Sequence, residues 1–490
     1  MSFNLYKRNI LYLLIISSII SNIICILSIP VKQVKTKFKK VPNSIYNPSK
    51  SSSLVDVLEI MLPAIDIRLG SNNQYITVLL DTGSDILWVA GPGSSRANIY
   101  NPSNSESAKK TSEKLEYNYA AGSIKGYYYN DQINFLTANN FYAYFGVASS
   151  INLELYDFDG IMGLGRKYSD KKKSILNTIK NIGAISSTIF SFKYDENKDM
   201  MFFYLGEQHE DFNINNSDKN KHIAGSNLIK SKYYGTELWV CDIVSLGIKK
   251  GNTIVKKITF NIEGLFDTGS NNIIFPSKYI SSLQDTITSF NCFLYEEGNS
   301  EVGSQKAIYC RDPNNLPKIT IGVRNHILTL GKKRFYDIIE VNNEKLTRLR
   351  FFFEEEVDYC IIGQSFYFEY HTLFDDANGV LKFYNEDDEQ ITDYVEKTSS
   401  SSGSSTWIIV LIIVGGVVIL GAIVFIIAYF FFCRKPEYKM LQKELLEMSS
   451  IQKVEEQEGT NAESNFNQKM NIKPAKKKKR TINIHVNFKN

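Results

Sequence analysis

Histidine and cysteine are scarce in this sequence, with five histidines and six cysteines among 490 residues. No two cysteines have the CxxC spacing, and no histidine lies in an HExxH motif. Because these are the spacings that indicate a zinc site, the sequence predicts neither a metal centre nor a cofactor. His326 and His371 are interpreted as structural residues.

Acidic residues are absent from residues 1–50, which carry eight basic side chains. Residues 433–490 hold 13 basic and 7 acidic side chains. The long stretch between them, residues 51–432, carries 35 basic and 45 acidic ones, so the total net charge of +4 hides a net charge of −10 there. A fold of this charge would repel a phosphate backbone, and no nucleic-acid partner is expected.

Charge is also missing from an apolar stretch near the N-terminus, residues 11–29, which follows Lys7 and Arg8. This pattern predicts a signal peptide over residues 1–29, and an uncleaved signal anchor is the alternative. The basic segment that comes next, residues 30–56, is interpreted as a prosegment whose lysines neutralise carboxylates in an acidic cleft. A solvated linker is the simpler interpretation of the same segment.

A second uncharged stretch, residues 407–432, is 26 residues long, which exceeds the roughly 20 residues that span a bilayer. Arg434 and Lys435 follow it, so the positive-inside rule predicts a cytoplasmic tail over residues 433–490. The serine-rich residues 397–406 would form a flexible stalk. Together these features predict a single-pass type I membrane protein of the endomembrane system or cell surface, with the main part of the chain lumenal or extracellular.

The predicted tail contains the motif YKML, from Tyr438 to Leu441. It matches the tyrosine-x-x-apolar pattern that sorting adaptors bind, although such short matches are common by chance. A sorting adaptor is therefore one hypothetical partner of the tail.

Four cysteines lie in the part of the chain that is expected to face an oxidising compartment: Cys241, Cys292, Cys310 and Cys360. Four cysteines allow three connectivities. Cys292 with Cys310 is favoured because these two are closest in sequence, and the state of the other two is left open.

Residues 57–396 consist of many short runs of alternating apolar and polar residues, bounded by Gly, Asn and Ser. Examples are QYITVLL, YYYNDQINFL, TIVKKITF and PKITIGV. Such runs are typical of an all-β protein. Helices are expected only in short segments, residues 171–181 and 278–285.

An internal repeat stands out within this β-rich region. LLDTGSDILWV at residues 79–89 recurs as LFDTGSNNIIF at residues 265–275, so Asp81 and Asp267 are 186 residues apart. Each copy is followed by a short apolar segment with glycine near its end, FDGIMGLG (residues 158–165) and CIIGQSF (residues 360–366). One DTG tripeptide arises easily by chance, but two copies in matching contexts indicate a functional pair.

If approximate two-fold symmetry relates the two copies, the carboxyl groups of Asp81 and Asp267 meet at the axis. Two carboxylates at hydrogen-bonding distance cannot both ionise cheaply, so the pair shares one proton over an acidic pH range. The ionised member can then take a proton from a water molecule while the protonated member polarises a carbonyl group. This is the chemistry of direct peptide-bond hydrolysis.

The residues that follow each aspartate suit this chemistry. The threonines can fix the two loops, the glycines allow a tight backbone approach and offer N–H groups, and the serines can hydrogen-bond the outer carboxylate oxygens. In pairs these residues are Thr82 and Thr268, Gly83 and Gly269, and Ser84 and Ser270.

On these motifs, residues 57–396 resemble the pepsin-like (A1) aspartic proteases, including the plasmepsins of apicomplexan parasites. The resemblance implies a bilobal all-β fold with two pseudo-symmetric lobes, residues 57–225 and 226–396, and a central cleft for protein or peptide substrates. The predicted transmembrane helix is similar to that of the family's membrane-anchored branches.

The segment YAAGSIKGYYYNDQI, residues 119–133, resembles the family's β-hairpin flap, which closes over the substrate. The resemblance assigns Tyr119, Ala120 and Ala121 to this flap and makes Trp88 the hydrogen-bond partner of Tyr119. Ala121 departs from the family, which commonly has YGTGS, so it cannot supply a hydroxyl group to the substrate backbone.

The sequence therefore predicts a membrane-anchored aspartic endopeptidase made as a proenzyme. A catalytically silent peptide-binding or adhesion protein on the same fold is the main alternative. A membrane receptor whose tail carries the main function is a third hypothesis.

Overall fold

The computed structural model describes residues 27–38, 58–119, 122–135, 138–153, 157–166, 174–213, 222–235, 237–297, 305–341, 344–355, 357–387 and 391–393. They all belong to one compact unit, Met1–Glu396. Within these ranges, no helix is long and apolar enough to cross a bilayer.

Several predicted features lie outside the described residues. They are the signal peptide up to residue 26, the stalk, the transmembrane segment at residues 407–432, the tail with Tyr438 and Leu441, and the flap residues Ala120 and Ala121. These remain predictions.

Strands dominate the structure, which confirms the all-β prediction, and in the described residues they form two sheets. The first sheet has 13 strands among the described residues, in spatial order β11 (Ile223–Asn227), β23 (Val380–Tyr384), β22 (His371–Asp375), β9 (Phe190–Asp195), β10 (Met200–Leu205), β1 (Leu27–Phe38), β2 (Leu58–Leu69), β3 (Gln74–Asp81), β8 (Gly160–Gly163), β4 (Leu87–Ala90), β7 (Ala138–Asn152), β6 (Gly122–Phe135) and β5 (Lys109–Tyr119).

The second sheet has 11 strands in the same described ranges. Ten of them follow one path in the order β15 (Cys292–Glu297), β16 (Gln305–Cys310), β20 (Glu344–Glu354), β14 (Ile273–Pro276), β21 (Cys360–Ile362), β13 (Thr253–Phe266), β12 (Val240–Lys250), β17 (Lys318–Val323), β18 (His326–Leu330) and β24 (Ile391–Asp393). The eleventh strand, β19 (Tyr336–Val341), pairs with β20 beside this path.

The described helices are short: α1 (Ile175–Asn181), α2 (Ile280–Ser289), α3 (Gln364–Tyr367) and 3-10 turns at Pro102–Asn104, Glu210–Phe212, Ser277–Tyr279 and Lys333–Phe335. The predicted helix at residues 171–181 begins at Ile175 because the Ser174 side chain caps it, accepting a hydrogen bond from the Asn177 N–H at 3.2 Å. The helix predicted at residues 278–285 instead continues to Ser289, because Leu283 and Ile287 bury one face of its last turns.

Strand β1 joins the two parts of the first sheet. Its first five residues pair with β10 and the rest pair with β2, so it crosses the boundary that was predicted between signal peptide and prosegment at residues 29 and 30. Lys32 on this strand forms an ion pair with Asp66 on β2 and donates a hydrogen bond to the Tyr75 hydroxyl at 3.1 Å. The one prosegment lysine whose contacts are described therefore binds a carboxylate of the sheet rather than the paired aspartates.

The two halves of the sequence share part of the first sheet. Strand β22, from the second half, pairs with β9 from the first half, and β11 pairs with β23. The division predicted between residues 225 and 226 lies inside β11. Strand pairing across this boundary ties the halves together.

The sequence repeat has a counterpart in strand topology. In the first half, β3 leads to Asp81, β8 pairs with it in parallel, and β4 lies on the other side of β8 in the antiparallel direction. In the second half, β13 leads to Asp267 and has the same relation to β21 and β14. Strands β4 and β14 each pair in parallel with one further strand, β7 and β20 respectively. The two aspartates therefore occupy equivalent positions in two similar strand arrangements.

An aromatic core lies between these arrangements and the shared strands. Phe190 stacks on Phe374 with ring centroids 4.7 Å apart, and Trp239 meets Phe190 edge-on at 5.5 Å. The Trp239 indole N–H donates to the Leu164 carbonyl at 2.8 Å, directly after β8. This packing holds both halves against the shared sheet and so fixes the distance between the two aspartate loops.

Candidate active site

The two aspartates of the repeat lie side by side. Asp81 is the last residue of β3 and is buried, whereas Asp267 directly follows β13 and is partly exposed. Their carboxyl groups are close enough for the charge of Asp267 to act on Asp81 and for the two to share a proton. The structure thus brings together the two acids that the sequence placed 186 residues apart.

Glycine is required at the residue two positions after each aspartate. A Cβ atom on Gly83 would lie 2.5 Å from an Asp267 carboxylate oxygen, and one on Gly269 would lie 2.5 Å from an oxygen of Asp81. Both distances are shorter than any van der Waals contact allows, so each loop can approach the opposite carboxyl group only without a side chain.

Each carboxyl group also receives hydrogen bonds from its own loop. The Gly83 N–H donates to Asp81 Oδ1 at 2.9 Å, and the Ser84 hydroxyl donates to Asp81 Oδ2. The second loop repeats the pattern: Asp267 accepts from the Gly269 N–H at 2.8 Å and from the Ser270 hydroxyl at 2.7 Å. These bonds orient both acids and compensate for their loss of water.

The two threonines hold the loops to each other. The Thr82 hydroxyl donates to the Phe266 carbonyl at 2.8 Å and accepts from the Thr268 N–H at 2.9 Å. The Thr268 hydroxyl donates to the Leu80 carbonyl at 2.7 Å and accepts from the Thr82 N–H at 3.0 Å. Both side chains are fully buried, so four hydrogen bonds between the halves fix the relative position of the acids.

The environment favours a protonated Asp81. Burial of its carboxyl group, together with the neighbouring negative charge of Asp267, raises the pKa of Asp81 well above its usual value. The hydrogen bonds from Ser84 and Gly83 act in the opposite direction, because they stabilise the carboxylate. The pair can therefore hold one proton at mildly acidic pH.

Tyr119 and Trp88 are also in contact. Trp88 is fully buried, and its indole N–H donates to the Tyr119 hydroxyl at 2.7 Å. Burial of that hydroxyl and the charge of Asp81 raise the pKa of Tyr119 well above its usual value. Tyr119 is the last residue of β5, so this contact attaches the end of β5 to β4, the strand that follows the Asp81 loop.

One contact beside the site was not predicted. The Tyr117 hydroxyl donates to Asp85 Oδ1 at 2.9 Å, and the Tyr117 ring lies 4.8 Å from that of Tyr119. Asp85 follows Ser84 directly, so Tyr117 attaches β5 to the aspartate loop itself, and Tyr119 attaches it to the strand after that loop. The sequence feature that could have indicated this contact is Asp85, a second acid within the apolar run LLDTGSDILWV.

The structure also decides the cysteine pairing. Cys292 and Cys310 form a disulfide between β15 and β16, where they are directly opposite each other. Cys241 and Cys360 are buried free thiols. They lie on either side of Gly264, on β12 and β21, with β13 between them, and burial raises the pKa of the Cys241 thiol to about 12.

Comparison with known proteins agrees with this geometry. The family model of the eukaryotic aspartyl proteases matches residues 64–385. Plasmepsin I of Plasmodium falciparum is 25% identical over 261 residues, which are 51% of this chain and 54% of that protein. The probable vacuolar protease A of Arthroderma benhamiae is 26% identical over 343 residues, covering 64% of this chain and 76% of that protein. Pepsin II-2/3 of Oryctolagus cuniculus is 25% identical over 329 residues, covering 64% and 78%.

The alignment spans only about half of plasmepsin I, but more than three quarters of pepsin II-2/3. The family match includes both DTG motifs, the strand β5 that carries Tyr119, and the trailing segments at β8 and β21. It covers well over half of the chain. The chain therefore belongs to the eukaryotic aspartyl protease family.

Proposed function

We propose that this protein is an aspartic endopeptidase that hydrolyses peptide bonds in protein substrates. The observation that carries the proposal is the adjacent pair of Asp81 and Asp267, each supported by its own glycine N–H and serine hydroxyl. A protein that only bound peptides would have no need of two adjacent acids that share a proton.

In the proposed reaction, Asp267 is the base, because it is the more exposed of the two acids and its partner favours the proton. Its carboxylate takes a proton from a water molecule, whose oxygen attacks the carbonyl carbon of the scissile bond. The Asp81 carboxyl group donates a hydrogen bond to the carbonyl oxygen and stabilises the charge that develops there. Transfer of a proton to the amide nitrogen then breaks the C–N bond and releases an amine and a carboxylic acid.

The hairpin of β5 and β6, which pair from Tyr119 opposite Gly122, would form the flap over the substrate. Tyr119 connects this hairpin to Trp88, on the strand that follows the Asp81 loop. An extended peptide between the flap and the aspartates would bind by backbone hydrogen bonds and by side-chain pockets. Closure of the flap would exclude all water except the attacking molecule.

The test is a cleavage assay of the purified protein with a mixed peptide library between pH 4 and pH 7. We expect Asp81→Asn and Asp267→Asn each to abolish cleavage, because either change removes the shared proton or the base. Asp195→Asn is the matched control, since the Asp195 carboxylate contacts the turn after β9, where it accepts from the Asn197 and Lys198 N–H groups and pairs with the Lys198 ammonium group. It should leave the rate unchanged.

The same experiment separates the protease from a catalytically silent binding protein. Peptide retention is measured in parallel with cleavage, after acid treatment that removes the proposed prosegment. If wild type and both asparagine variants retain peptides equally and none of them cleaves, the binding hypothesis replaces the endopeptidase.

We further propose that the protein is anchored in a membrane of the secretory pathway by residues 407–432, with its protease part on the lumenal or outer side. The support is the 26-residue uncharged stretch and the basic pair that follows it. Alkaline extraction of membranes tests this: the wild type should stay in the pellet, and a chain truncated after residue 396 should be released. Release of both would contradict the anchor.

A further inference from the structure

A cluster of two histidines and an aspartate lies on the shared part of the first sheet, away from the paired aspartates in sequence. His209 precedes the 3-10 turn Glu210–Phe212, Asp211 lies within that turn, and His371 begins β22. His209 Nδ1, an Asp211 carboxylate oxygen and a ring nitrogen of His371 all lie within 4.8 Å of one another. The proposed peptidase reaction uses none of these groups.

The spacing of the three atoms suits a small metal ion. His371 Nδ1 is 2.8 Å from Asp211 Oδ2, and His209 Nδ1 is 3.3 Å from the same oxygen. Neighbouring ligands of a tetrahedral Zn²⁺ are about 3.4 Å apart, since Zn–N and Zn–O bonds are about 2.0–2.2 Å long. Two of the three distances between the ligand atoms therefore need to change only slightly for Zn²⁺ to bind.

The ring nitrogens of both histidines lie next to the Asp211 carboxylate. His209 Nδ1 is 3.3 Å from Asp211 Oδ2 and accepts a hydrogen bond from the Asp211 N–H at 3.2 Å, so a metal ion would take over the lone pair that this N–H now uses. The other ring nitrogen of His371, Nε2, is 2.8 Å from the Ser191 hydroxyl. A second hydrogen bond of this kind is what fixes the orientation and tautomer of histidine ligands in metal sites.

The surroundings are largely closed to solvent. The side chains of His371, Asp211 and His209 are exposed by only 2%, 9% and 13%. The Tyr204 ring covers His209 at 4.4 Å, and the Phe212 ring meets His371 at 4.6 Å. Such a cover suits a structural ion that joins the turn to β22 rather than an ion that reacts with substrate.

The Lys193 ammonium group forms an ion pair with the Asp211 carboxylate in the absence of a metal ion. Its ammonium group is 2.7 Å from Asp211 Oδ2, and its side chain is 29% exposed, so it can move into solvent. A divalent ion would have to displace this ammonium group, which is a competing cation at the same oxygen.

From this geometry we propose that His209, Asp211 and His371 form a binding site for a divalent transition metal, with Zn²⁺ as the best match. Two imidazoles and one carboxylate are a ligand set typical of zinc, and water would complete the tetrahedron. On binding, the single ring proton of neutral His371 moves from Nδ1 to Nε2, so that Nδ1 binds the metal and Nε2–H donates to the Ser191 hydroxyl. The sequence does not indicate this site, because His-x-Asp followed by a histidine 160 residues after the aspartate is not a recognised metal-binding motif.

The experiment is equilibrium dialysis of the full-length protein against buffered Zn²⁺, followed by atomic emission to count the bound metal. We expect the wild type to bind one more Zn²⁺ per chain than His209→Gln, which removes a ligand at the least buried of the three positions. His326→Gln is the matched control because His326 lies on β18, outside the cluster, and it should bind as much metal as the wild type.

Two further variants distinguish a designed site from general binding to surface carboxylates. Ser191→Ala should weaken Zn²⁺ binding about tenfold, the usual effect of losing the partner of a histidine ligand. Lys193→Met should bind Zn²⁺ more tightly than the wild type, because the competing ammonium group is gone. Circular dichroism verifies that each variant is folded.

Equal metal content in the wild type and in folded His209→Gln would overturn the proposal, and the cluster would then be a hydrogen-bonded network that Lys193 neutralises. Weaker binding by folded Lys193→Met would overturn it as well. Because the readout is bound metal, it does not depend on whether the protein cleaves peptides.

Discussion

Thr82 and Thr268, which hydrogen-bond the two aspartate loops to each other, offer the sharpest test of how the two halves are held together. Thr82→Val keeps the shape of the side chain but removes its hydroxyl group, which leaves the Phe266 carbonyl and the Thr268 N–H without these partners. Each buried polar group that loses its partner costs about 1–3 kcal/mol. We therefore expect Thr82→Val to lower the free energy of unfolding by about 2–5 kcal/mol, a large part of the roughly 5–15 kcal/mol that stabilises a typical protein.

The assay is unfolding of the purified protein in guanidinium chloride, in which the midpoint should fall while the slope stays constant. Thr288→Val is the control of the same chemistry, because the Thr288 hydroxyl donates to the Gln284 carbonyl at 2.9 Å in an exposed part of α2. That change should cost within about 0.5 kcal/mol. Thr82→Ser retains a hydroxyl group and should recover most of the stability lost in Thr82→Val.

A second readout concerns activity. If the threonines set the separation of Asp81 and Asp267, Thr82→Val should also lower kcat, because the sharing of a proton between the acids depends on that separation. The reasoning is refuted if Thr82→Val is no less stable than Thr288→Val and cleaves peptides at the wild-type rate. The hydrogen bonds between the loops would then contribute nothing measurable.

Two further predictions concern the flap and a buried acid. Trp88→Phe removes the donor to the Tyr119 hydroxyl, so kcat/KM should fall by up to about tenfold, and Tyr119→Phe combined with it should add little in a double-mutant cycle. Burial raises the pKa of Glu369 to about 8 from 4.5, so the folded state binds the proton more tightly and the unfolding free energy should fall as pH rises from about 4.5 to about 8. Glu369→Gln should remove that slope in denaturant titrations at several pH values, and a slope that persists would contradict the assignment.

The sequence alone determined the fold class and the identity of the two acids. Short alternating runs predict strands because side-chain direction in a strand has a period of two, a local property that is visible in one segment at a time. The DTGS repeat indicated Asp81 and Asp267 because an acid within a buried apolar run requires a partner, and the second copy supplied one.

The tertiary structure decided what depends on long-range packing. Strand β1 pairs with β10 and β2, and β22 pairs with β9, contacts that no local pattern specifies because any two exposed strand edges offer the same hydrogen-bonding groups. Long-range packing also produces the hydrogen bonds between Thr82 and Thr268, the contact of Asp85 with Tyr117, and the cluster of His209 with His371. Residue type and spacing identify which side chains can react, whereas only the packing of distant strands determines which of them meet.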